Sequence, residues 1–410
     1  MCGDIVSPAS VIFDQFGMPT NLSLDAFQRL RVSSPSTLFD SKQVYSDGGT
    51  LFSLQTTGGA TIVYNNARAS SIMTVGGAGQ SAIRQSRRYL SYQPGKSFQV
   101  FVTSVPTAGG QVGVKKSFGY FDSNNGIFYS LDGLTPTMTL RSDVSGIVVD
   151  NAVIQNNWNI DKLNGSGPSG ITLSSAAAQI FALDFEWLGV GTVRVGFVIG
   201  GMFVPVHSFQ NANSALSVYM RTPNLPIRWE ISSTGGAGSL EAICCSANSE
   251  GGQDLIGKRR TASTSAGKLL AAGALQSLLQ IRNRSGQYLR APIFPLELST
   301  MCSSTGQGQW SIIVNPTITA GAIAWTNVDA NESAIEFDVG GTTITPGTGI
   351  TINTGFFSSD VSTAAAQLKE AISYGASVDG TARDVICLAM RNLNPGNETY
   401  FGSITWLEPT

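Results

Sequence analysis

Asp184 and Glu186 lie two residues apart in the run Phe181-Ala182-Leu183-Asp184-Phe185-Glu186-Trp187. In a strand, alternation puts Phe181, Leu183, Phe185 and Trp187 on one face and both acids on the other. The two carboxyls would then stand about 7 Å apart. Glycoside cleavage needs one acid and one base or nucleophile, and some sandwich hydrolases place a pair in this way. The same pattern fits a strand whose polar face meets solvent or a neighbouring subunit. Nothing near it supplies the exposed aromatics and further acids of a sugar cleft. The structural reading is preferred, the acids stay a weak candidate pair, and the chain is read as a non-enzyme.

Other spacings invite chemistry and lose to simpler readings. Gly252 to Lys258 has the spacing of a phosphate loop, but Arg259 stands where a Ser or Thr should hold magnesium. Asp122-Ser123-Asn124-Asn125-Gly126 resembles the start of a calcium loop. Its glycine falls where an oxygen ligand belongs, and a hairpin turn explains every residue in it. His207, the single histidine, precedes Ser208. Adjacent strand residues face opposite ways, so a triad is not expected and His207 reads as a structural hydrogen-bonding group. The cluster Lys258-Arg259-Arg260 reads as a solvated charge run able to meet an acidic partner. The six tryptophans read as core or interface residues before sugar platforms.

Composition narrows the classes further. The chain has 410 residues, 13% of them charged, with a net charge of −2. One histidine excludes a multi-His metal site. Near-neutral charge argues against a nucleic-acid binder, which needs clustered Lys and Arg. No apolar run is long enough to span a membrane. Five cysteines without C-x-x-C spacing read as free thiols, so neither a disulfide framework nor a cofactor is expected. Soluble monomers usually display many charges. So few in a chain of this size imply surface that permanent contacts cover, and an isolated subunit of low solubility.

The pattern along the chain is one of short strands and turns. Asn-Gly and Asp-Gly pairs recur, at Asp47-Gly48, Asn125-Gly126, Asp132-Gly133, Asn164-Gly165 and Asp379-Gly380. Alternating runs such as Ser97 to Ser104 and Gly119 to Leu131 lie between them. This predicts an all-β fold: two antiparallel, jelly-roll-like β-sandwiches after an extended N-terminal arm. The divisions are an arm over 1–45, a sandwich over 46–250, a polar connection with the basic cluster over 251–284, and a smaller sandwich over 285–410. Two stretches read as helical: part of Lys268 to Gln280, and Ser362 to Tyr374, with apolar residues at Ala365, Leu368 and Ile372.

Several blocks together resemble a known group of proteins. They include Asp25-Ala26-Phe27-Gln28-Arg29-Leu30-Arg31-Val32-Ser33, Leu38-Phe39-Asp40-Ser41-Lys42, Trp158 to Gly165 and Asp184 to Gly191. Tyr219 to Arg228 and Ser249-Glu250-Gly251-Gly252 follow. Over about residues 25 to 252 the chain resembles virion structural proteins of tailed bacteriophages and some large DNA viruses. The group usually has Gly where this chain has Gln28. The resemblance implies a capsid- or tail-associated particle protein, assembled in host cytoplasm, that forms homo-oligomers and docks on other virion proteins. It brings no catalytic motif. Phe27, Arg29 and Arg31 in the arm, with Lys258, Arg259 and Arg260, are the candidate interface residues. The alternative is a receptor-binding module that binds a host-surface glycan; a glycosidase using Asp184 and Glu186 ranks below both.

Overall fold

A computed structural model describes residues 34–252, 254, 256–304, 306–358 and 374–409, together with the backbone of strands Ile12–Phe13, Pro19–Thr20 and Thr363–Gln367. The described residues form strands, loops and four 3-10 turns, with no α-helix. The fold is all-β, built from antiparallel sheets packed as sandwiches.

The first sandwich has two broad sheets. One runs, edge to edge, through Val149–Ile154, Thr135–Ser142, Gly126–Asp132, Val114–Phe121, Ile227–Ser233, Ser81–Ser86 and Phe52–Thr57. The other runs through Met202–Phe209, Val193–Ile199, Gln179–Phe185, Phe98–Val105, Gly238–Glu250, Ser70–Val75 and Thr61–Asn65. Pro35–Ser41 adds an eighth strand to it, paired with the second half of Gly238–Glu250. Period-2 burial shows why these sequences become strands. Phe98, Val100, Val102 and Ser104 point inward, and the residues between them are half-buried. The inner faces meet through aromatic edges. Phe118 and Phe181, from opposite sheets, lie 6.2 Å apart in a T-shape, and Tyr129 meets Phe197 at 5.3 Å.

The second sandwich is smaller. Lys258–Ser263, Glu398–Glu408, Phe294–Cys302 and Thr363–Gln367 form one sheet, with Lys268–Leu270 also paired to Glu398–Glu408. The other contains Thr326–Asn327, Ile335–Asp338, Leu275–Asn283, Val385–Asn392, Gly308–Val314 and Ile350–Phe357. Its core gathers Leu279, Ile281, Ile312, Leu388, Tyr400, Ile404 and Trp406, separate from the core of the first sandwich.

Three expectations change. Residues 258–283, read as a polar connection, supply three strands of the second sandwich, and the basic cluster lies on one of them. The Leu and Ala runs there are not helical. Leu275–Asn283 is buried on both faces between two neighbouring strands, and that packing overrides helix propensity. Likewise Thr363–Gln367, the start of the second expected helix, pairs with Phe294–Cys302 as a strand. Residues 368–373 lie outside the described residues. Finally, the last part of the expected arm belongs to the first sandwich.

The two sandwiches are joined along a seam. Arg87 Nη1 lies 3.0 Å from Asp384 Oδ1, and the Val378 N–H donates to Ser53 Oγ at 3.2 Å. Gly375 packs so closely on the Arg87 carbonyl that a Cβ there would overlap it. Arg290 stacks over the Tyr89 ring and donates to the carbonyls of Ala376, Ser377 and Val378.

Gln43 also belongs to the first sandwich. Its side-chain amide donates to the carbonyls of Ala242 and Ile243 and accepts from Ser71 Oγ at 2.6 Å. Three hydrogen bonds, two of them buried, at about 1 kcal/mol each make deletion of 1–45 costly by about 3 kcal/mol, before the lost strand is counted. Deletion of 1–33 spares both features. Urea unfolding of the two truncations is expected to show the longer deletion as the less stable by at least that margin. Equal midpoints and slopes would contradict the assignment.

Candidate functional site

Asp184 and Glu186 are the sharpest candidates from the sequence, and the structure places both inside the protein. Asp184 lies on Gln179–Phe185, a central strand paired with Phe98–Val105 and Val193–Ile199. Phe181, Leu183 and Phe185 turn to the sandwich core as alternation predicts. Asp184 is 3% exposed and Glu186 is 0% exposed. Asp184 Oδ2 meets Arg194 Nη2 at 2.6 Å, directly across the strand pair, and Oδ1 accepts from Ser97 Oγ at 2.7 Å. A carboxylate buried with a guanidinium and a hydroxyl holds strands together. The pair as it stands offers a polysaccharide no access.

His207 sits on Met202–Phe209. Its Nδ1 accepts from the Asn159 N–H at 3.2 Å, and its ring meets Phe209 edge-on at 4.5 Å. The hydrogen bond fixes the neutral tautomer, with the proton on Nε2. Burial lowers its pKa. This is the structural role read from the sequence.

Asp122 to Gly126 forms the hairpin turn. Asp122 Oδ1 accepts from the N–H groups of Asn124 and Asn125, and Oδ2 accepts from Tyr89 Oη. The side chain thereby caps its own turn. Gly126 opens the next strand, where a Cβ would overlap Phe121. Among the described residues, no group of three His, Cys, Asp or Glu could hold a metal ion. Cys244, Cys245, Cys302 and Cys387 are free, and burial pushes the Cys387 thiol up to about 12.

The candidate interface residues divide. Phe27, Arg29 and Arg31 lie outside the described residues. Lys258, Arg259 and Arg260 lie on the edge strand Lys258–Ser263, not in a loop. Lys258 Nζ and Arg260 Nη2 share Glu332 at 2.9 and 3.1 Å, and Arg259 reaches Glu297 at 3.9 Å. Lys258 and Arg260 hold the Glu332 carboxyl below its usual range, the Lys258 hydrogen bond contributing most. Charges on an edge strand also block unwanted strand pairing.

Sequence reasoning missed a second polar cluster on the eight-stranded sheet. Glu241 is buried, accepts from Ser70 Oγ at 2.5 Å and pairs with Arg68 at 2.6 Å. Its signal was the run Gly238-Ser239-Leu240-Glu241-Ala242, an acid between apolar residues. It also missed the seam, since Arg87 and Asp384 are 297 positions apart. Of the tryptophans, Trp158, Trp229, Trp310 and Trp406 are buried, while Trp187 and Trp325 are half-buried.

No family model matches the chain, and no curated protein does. Solved structures match over half of it or more. A carbohydrate esterase from the Shiga toxin-encoding bacteriophage phi24B is 10% identical, covers 52% of this chain and 99% of its own, with a TM-score of 0.30. A legume lectin-like domain from Entamoeba histolytica is 12% identical, with coverages of 52% and 98% and a TM-score of 0.30. A β-glucanase-like protein from Mycobacterium abscessus is 10% identical, with coverages of 52% and 100% and a TM-score of 0.35. Likeness of this degree does not extend to function.

Two outcomes check the site. Asp184→Ala removes the buried carboxylate that meets Arg194 and Ser97 and is expected to cost about 3 kcal/mol. Adding Arg194→Met should recover part of that loss in urea unfolding. A single variant as stable as the parent would show that the pair is not structural. For His207 the folded pKa lies below the unfolded value, so the unfolded chain gains a proton that the folded chain refuses. The stability is complete above about pH 6.5 and falls as pH drops from there toward the folded pKa. His207→Gln should lose less stability between pH 7.5 and 5 than the parent does; parallel losses would reject the assignment.

Proposed function

We propose that the protein is a non-enzymatic structural component of a virus particle, associated with capsid or tail. It self-associates and docks on other particle proteins after assembly in the host cytoplasm. The observation that carries this reading is the strand Ile350–Phe357, an unguarded sheet edge among the described residues. It contains no charged residue and no proline, and Ile350, Ile352 and Phe356 are exposed, the last by 67%. Natural sheets blunt such edges with charge, as this protein does at Lys258–Ser263. An edge left apolar is one that a partner covers. Around the outer strand Val149–Ile154, Ile147, Val148, Val149 and Ile154 are likewise exposed. The low charge and the resemblance of residues 25 to 252 to virion proteins support the same reading. Burial of Asp184 and Glu186 favours it over hydrolysis.

The full chain is expected to run as an oligomer by light scattering, and Phe356→Lys to shift it toward monomer without loss of fold. The 1–33 truncation should fold and fail to assemble if the arm fixes neighbours. A monomer at every concentration, or an unchanged oligomer in both variants, would reject this function.

A second reading rests on Trp325. Its half-buried ring carries the Arg282 guanidinium at 3.8 Å, and Arg282 and Arg383 both reach Glu336. An aromatic ring beside a carboxylate and guanidiniums is a side-chain set that binds sugars. A glycan array separates the readings: binding lost in Trp325→Ala supports the receptor-binding module, and a blank array removes it.

A further inference from the structure

The seven-stranded sheet of the first sandwich has two edges of different kinds. Phe52–Thr57 lies at the seam, where Ser53 Oγ accepts from the Val378 N–H of the second sandwich. Val149–Ile154, at the opposite edge, has no further strand beside it among the described residues. The corresponding edge of the eight-stranded sheet, Met202–Phe209, is partly closed. Ile160 and Asp161 donate to the Val206 carbonyl, and Asn159 exchanges two hydrogen bonds with the Ser208 backbone. Val149–Ile154 stays open, with every residue but Val153 exposed. It is nevertheless firmly placed, since the indole of buried Trp158 donates to the Val153 carbonyl.

The strand reads Val149-Asp150-Asn151-Ala152-Val153-Ile154, without the Lys or Pro that usually guards an edge. Its one charge is already answered: Arg141 holds the two Asp150 oxygens at 2.8 and 2.9 Å. The register with Thr135–Ser142 fixes the faces. Val149, Asn151 and Val153 lie on the side of the core residues Met138 and Leu140; Asp150, Ala152 and Ile154 lie on the other. Opposed residues of an antiparallel pair share a face, so a two-fold axis normal to the sheet must pass through a residue. Through Ala152, it would set Asp150 against Ile154 and Asn151 against Val153. Through Asn151, Val149 meets Val153, Asp150 meets Ala152, and Asn151 meets itself. One step back, exposed Val148 meets Ile154. Apolar β-branched residues then oppose one another and no charge opposes its like. In that register the strand is complementary to itself.

We propose that Val149–Ile154 pairs antiparallel with the same strand of a second copy, about a two-fold axis at Asn151, so that two seven-stranded sheets become one continuous sheet. This rests on the self-association proposed above and names one of its contacts. Ile147, just before the strand and 70% exposed, lengthens the apolar contact.

The test is sedimentation velocity on the full chain carrying Phe356→Lys, which silences the other bare edge. That protein is expected to be a dimer. Asn151→Lys sets like charges opposite one another at the axis and should weaken the dimer about tenfold or more. Ala152→Lys sets a cation opposite Asp150 of the second copy and should leave the dimer intact or tighten it. Cross-linking in the parent background stands even if Phe356→Lys does not fold. Under oxidation Asn151→Cys should link to its copy, because opposed residues have Cα atoms about 5 Å apart. Val149→Cys, roughly 14 Å from its copy, should link no more than the parent does. A parent that is monomeric at every concentration removes the self-association and this contact together. An oligomeric parent whose Phe356→Lys variant is monomeric overturns this contact alone. Weakening by both lysines or by neither overturns it, as does an Asn151→Cys oligomer that does not cross-link. An oligomer that ignores both lysines and is lost with residues 1–33 gives the edge to the arm and overturns it equally.

Discussion

Asp384 is buried at the seam, 3% exposed, and its carboxylate takes donors from both sandwiches. Arg87 reaches it from the first; Asn315 and the Gly375 N–H reach it from the second. Burial raises its pKa, so the fold resists the charge it contains, while the three donors favour that charge. The balance has a geometric result. The Gly375 and Asp384 backbones are drawn together, and Ser377 and Val378 are carried onto Arg290 and Ser53. Among the described residues, this loop carries a group of contacts that set the second sandwich against the first.

The class of fold was legible because its signals are local. Alternation in Phe98–Val105 and the turn residues of the Asp122 hairpin act within a few positions. The side of the sheet on which Asp184 lies was legible for the same reason. What the alternation could not say is whether that side is wet. Strand period gives a face, and only the tertiary fold gives what lies over it. The helix expectations failed for the complementary reason. Leu275–Asn283 has helix-forming Leu and Gln residues, but its neighbours Ile335–Asp338 and Val385–Asn392 lie more than 50 and 100 positions away and cannot be seen in a window. The seam was invisible in the same way.

The scarcity of charge takes on a sharper meaning in the structure. The chain has 25 Lys and Arg and 27 Asp and Glu. Of these, Arg84, Lys116, Asp161, Asp184, Glu186, Arg228, Glu241, Asp338, Asp384 and Glu408 are buried. They serve inside: Glu408 accepts from Ser333 and the Trp406 indole, and Lys116 donates to the carbonyls of Thr107 and Gly109. Burial lowers the Lys116 pKa to about 8, so even there the charge is resisted. A chain already poor in charge therefore presents still less of it to solvent.

That internal use separates two explanations of the low count. If the charges were merely few, they would be expected outside, where hydration stabilises them. Instead the interior holds a substantial share, and the edges split into two kinds. Lys258–Ser263 keeps its three cations at the rim, which guards that edge. Ile350–Phe357 keeps none and presents Phe356 to solvent. Random depletion would not sort charge by edge in this way. A surface that guards one edge and leaves another bare fits selective pairing, in which one edge is closed to neighbours and the other is open to them.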